Sequence, residues 1–268
     1  MKLQNKSNFL TIALSTSELW YIAQLFGPGW IFGVDDPTET LAEGEVAELE
    51  TKAFESLSGE GMISHEGGNR IRIDEIVGGM VYSCIHSKDL MVVKDLSSGS
   101  KSFYHFLPDW QLEMCQVDGD YELTLFKDRS DLFQHILYSF EVKLDEDSNG
   151  SRFSIPAKEL EIAAFLFDSG KVDQAITNLE SNLIKISSVE DFLKGYLNPD
   201  SHIRFDMLMN RDDEERIHTY RNELLRFSDS LYWITHDEPT EEAAEIMNFT
   251  PVSPKIAEQR FNLMLPKS

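Results

Sequence analysis

The sequence predicts an α+β fold: a central, largely antiparallel sheet with helical bundles, divided into two halves related by a pseudo-twofold axis. Two observations lead to this prediction. A strand–helix unit near the start of the chain occurs again in its second half, and four consecutive segments alternate between apolar and polar residues. A length of 268 residues with 41% hydrophobic residues is sufficient for one large domain with a buried core.

The recurring unit is a short strand that leads into an amphipathic helix, at residues 12–26 and again at 153–167. In the first copy Ser15 or Thr16 begins the helix and Glu18 is placed to close a capping box; in the second, Pro156 begins it. The spacing is far longer than the roughly 20–50 residues of a solenoid repeat, so it indicates two related halves. Chance similarity of two amphipathic helices is the alternative. A shift of 141 residues makes five positions identical: Glu18/Glu159, Leu19/Leu160, Ala23/Ala164, Leu25/Leu166 and Phe26/Phe167.

The alternating segments follow one another with short polar breaks between them, which is typical of an antiparallel meander. Within each segment one set of side chains is apolar and the other more polar, so one face of the sheet packs and the other is wetter. The four strands are expected at 90–93, 102–107, 110–115 and 121–126.

Helical periodicity and turn residues predict the remaining elements. The first half is expected to hold a strand at 9–14, helices at 16–26, 43–57, 74–85 and 130–140, and a short hairpin between 63 and 73. The second is expected to hold helices at 156–168, 171–184 and 188–197, strands at 203–209, 219–227 and 231–235, an acidic helix from 237 to 247, and a last strand at 261–265. The chain is thus predicted to be a single domain over 1–268, with halves 9–143 and 151–265 joined by a linker at 144–152.

The net charge of the protein limits the kinds of partner that it can bind. The formal net charge is −23, and both halves are acidic, which repels nucleic acid and anionic lipid surfaces. The helix and hairpin at 43–73 resemble a winged-helix unit, but the helix is acidic and the hairpin offers only Arg70 and Arg72, so no nucleic-acid binding is expected. Such a surface suits a basic protein partner, or serves solubility alone.

The start of the chain has no apolar run long enough for a signal peptide or a membrane span, so we expect a cytoplasmic protein without membrane insertion. Cys84 and Cys115 lie in no metal-ligand pattern, and the seven histidines are scattered. No phosphate loop, dinucleotide fingerprint, nucleophile elbow or two-histidine metal motif is present. The sequence therefore predicts no catalytic residue, no cofactor, no metal and no enzyme activity.

Aromatic residues are dense in the meander, where Phe103, Tyr104, Phe106 and Trp110 fall within eight residues, and Trp30 and Phe32 follow the glycine-rich end of the first helix. Aromatic side chains on both faces of a strand cannot all enter one core. They are covered either by the rest of the fold or by a partner. These six residues are the candidate partner-binding residues.

The opening segment from Leu10 to Gly27 resembles the start of the EspG family, the chaperones of type VII (ESX) secretion systems, and of its Firmicute relatives. It shares the strand, the polar turn and the helix with an aromatic residue, and the segment from Leu57 through Gly61 to Ile63 is also similar. The resemblance implies the fold described above and a non-enzymatic role. It also implies a cytosolic adaptor that binds a helical secreted protein, WXG- or LXG-like, and keeps it soluble for export.

A preformed groove would take an amphipathic helical segment of that client. Replacement of Phe103 or Trp110 by alanine is then expected to weaken the complex with little loss of fold. The alternatives are an immunity or regulatory protein that binds and neutralises a toxin, and an enzyme whose site would show as a deep polar pocket with convergent titratable groups.

Overall fold

Ten antiparallel strands form one sheet in a computed structural model, which describes residues 9–27, 31–67, 70–143, 150–180, 189–209, 218–227, 230–237, 239 and 244–266. The first half contains β1 (Phe9–Leu14), α1 (Thr16–Leu25), α2 (Glu43–Gly59), β2 (Ile63–His65), β3 (Ile71–Ile73), α3 (Glu75–His86), β4 (Asp89–Asp95), β5 (Lys101–Phe106), β6 (Gln111–Val117), β7 (Asp120–Phe126) and α4 (Arg129–Ser139). The second contains β8 (Phe153–Pro156), α5 (Ala157–Asp168), α6 (Val172–Glu180), α7 (Val189–Leu197), β9 (Ser201–Met209), β10 (His218–Phe227), β11 (Ser230–Asp237), β12 (Ile246–Pro251) and α8 (Pro254–Met264).

The strand order of the large sheet is β1-β7-β6-β5-β4-β9-β10-β11-β12-β8, and β2 and β3 form a separate hairpin. Strands β4 and β9 pair antiparallel at the centre. Read outwards from that junction, β4-β5-β6-β7-β1 has the same connectivity as β9-β10-β11-β12-β8. The predicted α+β architecture with two pseudo-twofold halves is therefore confirmed. Most of the predicted linker, residues 144–149, lies outside the described residues, and the bounds of the halves stay a prediction.

The ladder pairings show which positions of the two halves are equivalent. Ile12 and Phe153, which are 141 residues apart, each begin a row that crosses the sheet through hydrogen-bonded neighbours. The first row is Ile12, Leu123, Met114, Phe103 and Val92; the second is Phe153, Phe249, Ile234, Glu223 and Arg204. The outer positions are apolar in both rows, whereas the inner positions of the second row are charged.

Both predicted starts of the repeated unit are found. Ser15 caps α1 and accepts a hydrogen bond from the Glu18 amide at 3.3 Å, while the Glu18 carboxylate accepts from the Ser15 amide at 2.7 Å. This is the reciprocal arrangement that a capping box predicts. Pro156 occupies the equivalent position before α5.

Three apolar cores hold the helices against the sheet. On one face, α1, α2 and α3 cover the outer part of the first half, and α5, α6 and α7 cover the outer part of the second. On the opposite face, α4 and α8 lie across the middle of the sheet, where Phe133 and Phe261 pack with ring centroids 5.0 Å apart. Consequently the centre of the first face lies between two helical bundles.

Two predicted elements are wrong. Residues 246–251 form a strand, because Met247 and Phe249 are buried on alternate positions while Asn248 and Thr250 are less buried; the acidic run before them had suggested a helix. The start of that predicted helix, at 238 and 240–243, lies outside the described residues. Residues 254–264 form a helix instead of ending in a strand, because Ser253 caps it, Pro254 occupies its first turn, and apolar residues recur every four positions.

Candidate partner-binding groove

A groove of about 1090 Å³ opens at the centre of the sheet, between the two bundles. Its floor is formed by β4, β5, β9, β10 and β11, close to the pseudo-twofold junction of β4 and β9. The loop between α1 and α2 lies on one side of it, and the segment after β11 lies on the other. The two three-helix bundles leave part of these strands uncovered between them, and this uncovered part is the groove.

One end of the groove is apolar. Phe103 of β5 packs edge-on against Phe32 of the α1–α2 loop, with ring centroids 5.8 Å apart. Gly33 adopts a positive φ of 85°, and the Phe103 ring occupies the space where a side chain at this position would begin. Glycine therefore allows the loop backbone to approach β5 and to place Phe32 over the groove. Val92 extends the apolar floor on β4.

The middle of the floor is cationic, although the protein as a whole is strongly acidic. Lys101, Lys94 and Arg204 are direct cross-strand neighbours on β5, β4 and β9. Arg204 and Arg221 each donate an Nε–H to Asp206, at 2.8 and 3.1 Å. Arg204 also faces Glu223 across β9 and β10, and Asp237 and Glu245 line the groove in addition to Asp206. Among the described residues, Lys94 and Lys101 are the cations of this cluster that form no ion pair.

The other end of the groove contains a chain of histidines and glutamates. Glu223 accepts hydrogen bonds from Nε2 of His202 at 2.6 Å and from Nε2 of His236 at 3.0 Å. The Nδ1 atom of His236 bonds Glu245 at 2.7 Å. Burial alone raises the pKa of Glu223, but the hydrogen bonds from His202 and His236 outweigh burial and lower this pKa to about 2.

The two histidines and two glutamates form a largely buried titratable cluster at the groove. Both carboxylate oxygens of Glu223 and both ring nitrogens of His236 make hydrogen bonds within this cluster. Burial, together with the charges of Glu113 and Glu122, raises the pKa of Cys115 to about 12, so its thiol is not a nucleophile near neutral pH. No group of three histidine, cysteine or carboxylate side chains positioned for a metal occurs in the described part of the chain.

The hydrogen bonds between these histidines and glutamates predict that the stability of the protein depends on pH. Burial lowers the pKa of His236, but its hydrogen bonds to Glu223 and Glu245 and their charges outweigh burial and raise this pKa above 6.5. A group whose pKa is raised by folding stabilises the protein fully below its unfolded pKa and loses this effect as pH rises through the folded value. We therefore expect the urea midpoint of unfolding to fall as the pH rises above about 6.5 and through the raised pKa of His236. His236→Gln should flatten the profile and exposed His65→Gln should not; equal slopes for all three proteins would refute the role of His236.

The six predicted partner-binding residues lie in different parts of the protein. Phe32 and Phe103 lie together at the apolar end of the groove. Tyr104 and Phe106 point to the opposite face, into the core beneath α4 and α8, where the Tyr104 hydroxyl donates to Glu113 at 2.6 Å. Trp110 precedes β6 and is 40% exposed, but it does not line the groove. Trp30 lies outside the described residues.

Burial also changes what is expected of Phe103. Its side chain is only 4% exposed and belongs to the first core, so it supports the fold as well as the groove. Phenylalanine-to-alanine changes in cores typically cost about 3–5 kcal/mol. We therefore now expect Phe103→Ala to lower stability as well as client binding, whereas the half-exposed Trp110 gives no reason to expect a loss of fold.

Sequence patterns alone do not identify the charged cluster on the floor. Lys94 and Lys101 pair locally in the β4–β5 hairpin, but Arg204 and Arg221 join them only through the pairing of β4 with β9 and of β9 with β10. The one available signal was the position of these cations on strands in a chain of net charge −23. Without the order of the strands, nothing in the sequence places them on one face.

No helix in the described ranges is both long and apolar enough to cross a membrane. No protein family profile matches the sequence, and no curated protein is significantly similar to it. A solved structure does match: the Mycobacterium tuberculosis type VII secretion system chaperone EspG5, in complex with the PE25–PPE41 dimer, at a TM-score of 0.64. The match covers 93% of this chain and 93% of that chain, with 10% sequence identity. The chain thus has an EspG-like α+β fold.

Proposed function

We propose that this protein is a cytoplasmic, non-enzymatic chaperone of a type VII secretion system, which holds a helical segment of a secreted protein in the central groove. The observation that carries the proposal is an open groove on the sheet of a chain with the fold of a chaperone whose solved complex contains a protein dimer. We further propose a Firmicute-type system and a WXG- or LXG-like client, as the resemblance of the opening segment implies.

The size of the groove favours a helical occupant. An α-helix with side chains is about 10 Å across and rises 1.5 Å per residue, so about nine residues, or two to three turns, fill a volume of 1090 Å³. Compact organic ligands occupy pockets of about 300–1000 Å³ and are mostly enclosed. An open groove of this size on a sheet matches the tip of a helical hairpin better than a small molecule.

The lining also suits such a segment. Phe32 and Phe103 offer an aromatic surface at one end, where an apolar side chain of a helix would be covered. The cationic floor beside it offers hydrogen-bond donors to polar groups of the helix. A groove that is partly preformed by packed strands loses little entropy when a client binds.

Site-specific photo-cross-linking in the protein's own cells tests this proposal. A benzophenone amino acid replaces Phe32 at the groove or, as control, Tyr138, which is 83% exposed on α4 at the opposite face. We expect adducts from position 32 with the helical region of a secreted protein, and none from position 138. Adducts with the toxic domain of a toxin would instead support an immunity protein, and equal labelling from both positions would reject the groove.

A further inference from the structure

Two lysines lie side by side on the floor of the groove. Lys101 and Lys94 face each other across β5 and β4, and Lys94 faces Arg204 across β4 and β9. Like charges directly opposite each other in a sheet are destabilising. Among the described residues neither lysine forms an ion pair, although the chain contains 47 acidic residues. The juxtaposition of the two lysines therefore costs stability in the free protein.

Asp206 pairs with the two arginines, and no ion pair joins a described carboxylate to Lys94 or Lys101. Asp206 accepts one Nε–H from Arg204 and one from Arg221, and a guanidinium has five N–H donors. Asp206 thus orients the two arginine side chains while donors remain on each. Lys101 is held beside the apolar end, with its Nζ 5.5 Å from the centre of the Phe103 ring.

The pseudo-symmetry brings the two outer cations to equivalent places. The ladder pairings that equate Phe103 with Glu223 also equate Lys101 with Arg221, two residues earlier on β5 and β10. Lys101 and Arg221 therefore flank the junction of the halves, and both line the groove together with Lys94.

From this arrangement we propose that the groove floor is a carboxylate-binding site, and that the client's helical tip presents acidic side chains to Lys94, Lys101 and Arg221. The inference rests on the proposed function and specifies its client class. It departs from the basic partner that the whole-chain charge suggests. Charges farther away than about 8 Å are largely screened at physiological salt, so the local cluster determines the preference at contact.

The first experiment needs no client. The native protein is acetylated with an N-hydroxysuccinimide ester, with millimolar citrate or with sodium chloride of equal ionic strength, and the modification of each lysine is followed by mass spectrometry. Citrate, as a polycarboxylate probe, should slow acetylation of Lys94 and Lys101 at least about twofold, but not that of exposed Lys158 and Lys255. If citrate slows the acetylation of all four lysines equally, or of none of them, the carboxylate site is overturned.

The second experiment uses the cross-linker at position 32. Lys94→Glu combined with Lys101→Glu should reduce the yield of client adduct at least about tenfold, because two attractive contacts become repulsive. The control combines Lys158→Glu with Lys255→Glu, which changes the net charge equally on α5 and α8. A yield that is unchanged or higher in the groove variant would overturn an acidic client.

The two experiments separate this inference from the proposed function. Protection by citrate without any adduct from position 32 in the unaltered protein would reject the chaperone role and leave the carboxylate site standing, with a small polycarboxylate as its occupant. Adducts without protection would retain the chaperone role and reject the carboxylate site.

Discussion

Gly33→Ala is expected to lower the free energy of unfolding by about 2–5 kcal/mol and to abolish client binding. A positive φ costs an alanine about 1–2 kcal/mol, and the new methyl group would overlap the Phe103 ring, an overpacking that adds about 1–3 kcal/mol. We expect the ring to relieve the overlap by turning towards the groove, where it would occupy the client's place. Urea unfolding gives the first effect and cross-linking from position 32 the second.

Gly61→Ala is the matched control, since Gly61 also has a positive φ, of 76°, but no atom lies within 4 Å of the added methyl group. It should lower the free energy of unfolding only by the cost of the positive φ, about 1–2 kcal/mol, and leave client binding intact. A second variant, Gly33→Ala with Phe103→Leu, removes the overlapping ring atoms. If Gly33→Ala matches Gly61→Ala in stability and still binds the client, the close approach of the loop to Phe103 has no role.

Glu223→Gln is expected to destabilise the protein by about 3 kcal/mol near neutral pH. The pKa of Glu223 falls from an ordinary 4.5 to about 2 on folding, and each pKa unit corresponds to about 1.4 kcal/mol. The side chain is 7% exposed, so solvent screens the interaction little. Glutamine preserves the shape but removes the charge that His202 and His236 share.

An exposed ion pair provides the comparison for this variant. Glu190 pairs with Lys194 at 2.7 Å on α7, with side chains 45% and 56% exposed. Glu190→Gln should change the free energy of unfolding by no more than about 0.5 kcal/mol. Denaturation of both variants at one pH tests the difference, and a loss below 1 kcal/mol in Glu223→Gln would contradict a stabilising role for the buried chain.

The sequence predicted the architecture well where the pattern is local. The capping box at Ser15 and Glu18, the meander of β4 to β7 and the recurrence of the strand–helix unit all depend on neighbouring residues, and the structure contains each of them. The errors lie at the end of the chain. There the acidic residues before β12 outweighed the alternation of Met247 and Phe249, and the cap at Ser253 was overlooked.

The groove could be predicted only in part, because it depends on contacts that are distant in sequence. Aromatic density led to Phe32 and Phe103, but the same criterion chose Tyr104 and Phe106, which lie on β5 and face the other side of the sheet. Alternation shows that neighbouring residues of a strand point to opposite faces; it does not show which face a helix covers. That information comes from the positions of α4 and α8, which no local pattern encodes.

A structure of the unaltered protein in complex with the client that cross-linking from position 32 identifies tests the central claim most directly. The account predicts a helical segment of the client, two to three turns long, lying across β4, β5, β9 and β10, with an apolar side chain against Phe32 and Phe103. A client seated on α4 and α8, or on the outer surfaces of the helical bundles, with the central groove empty, would contradict it.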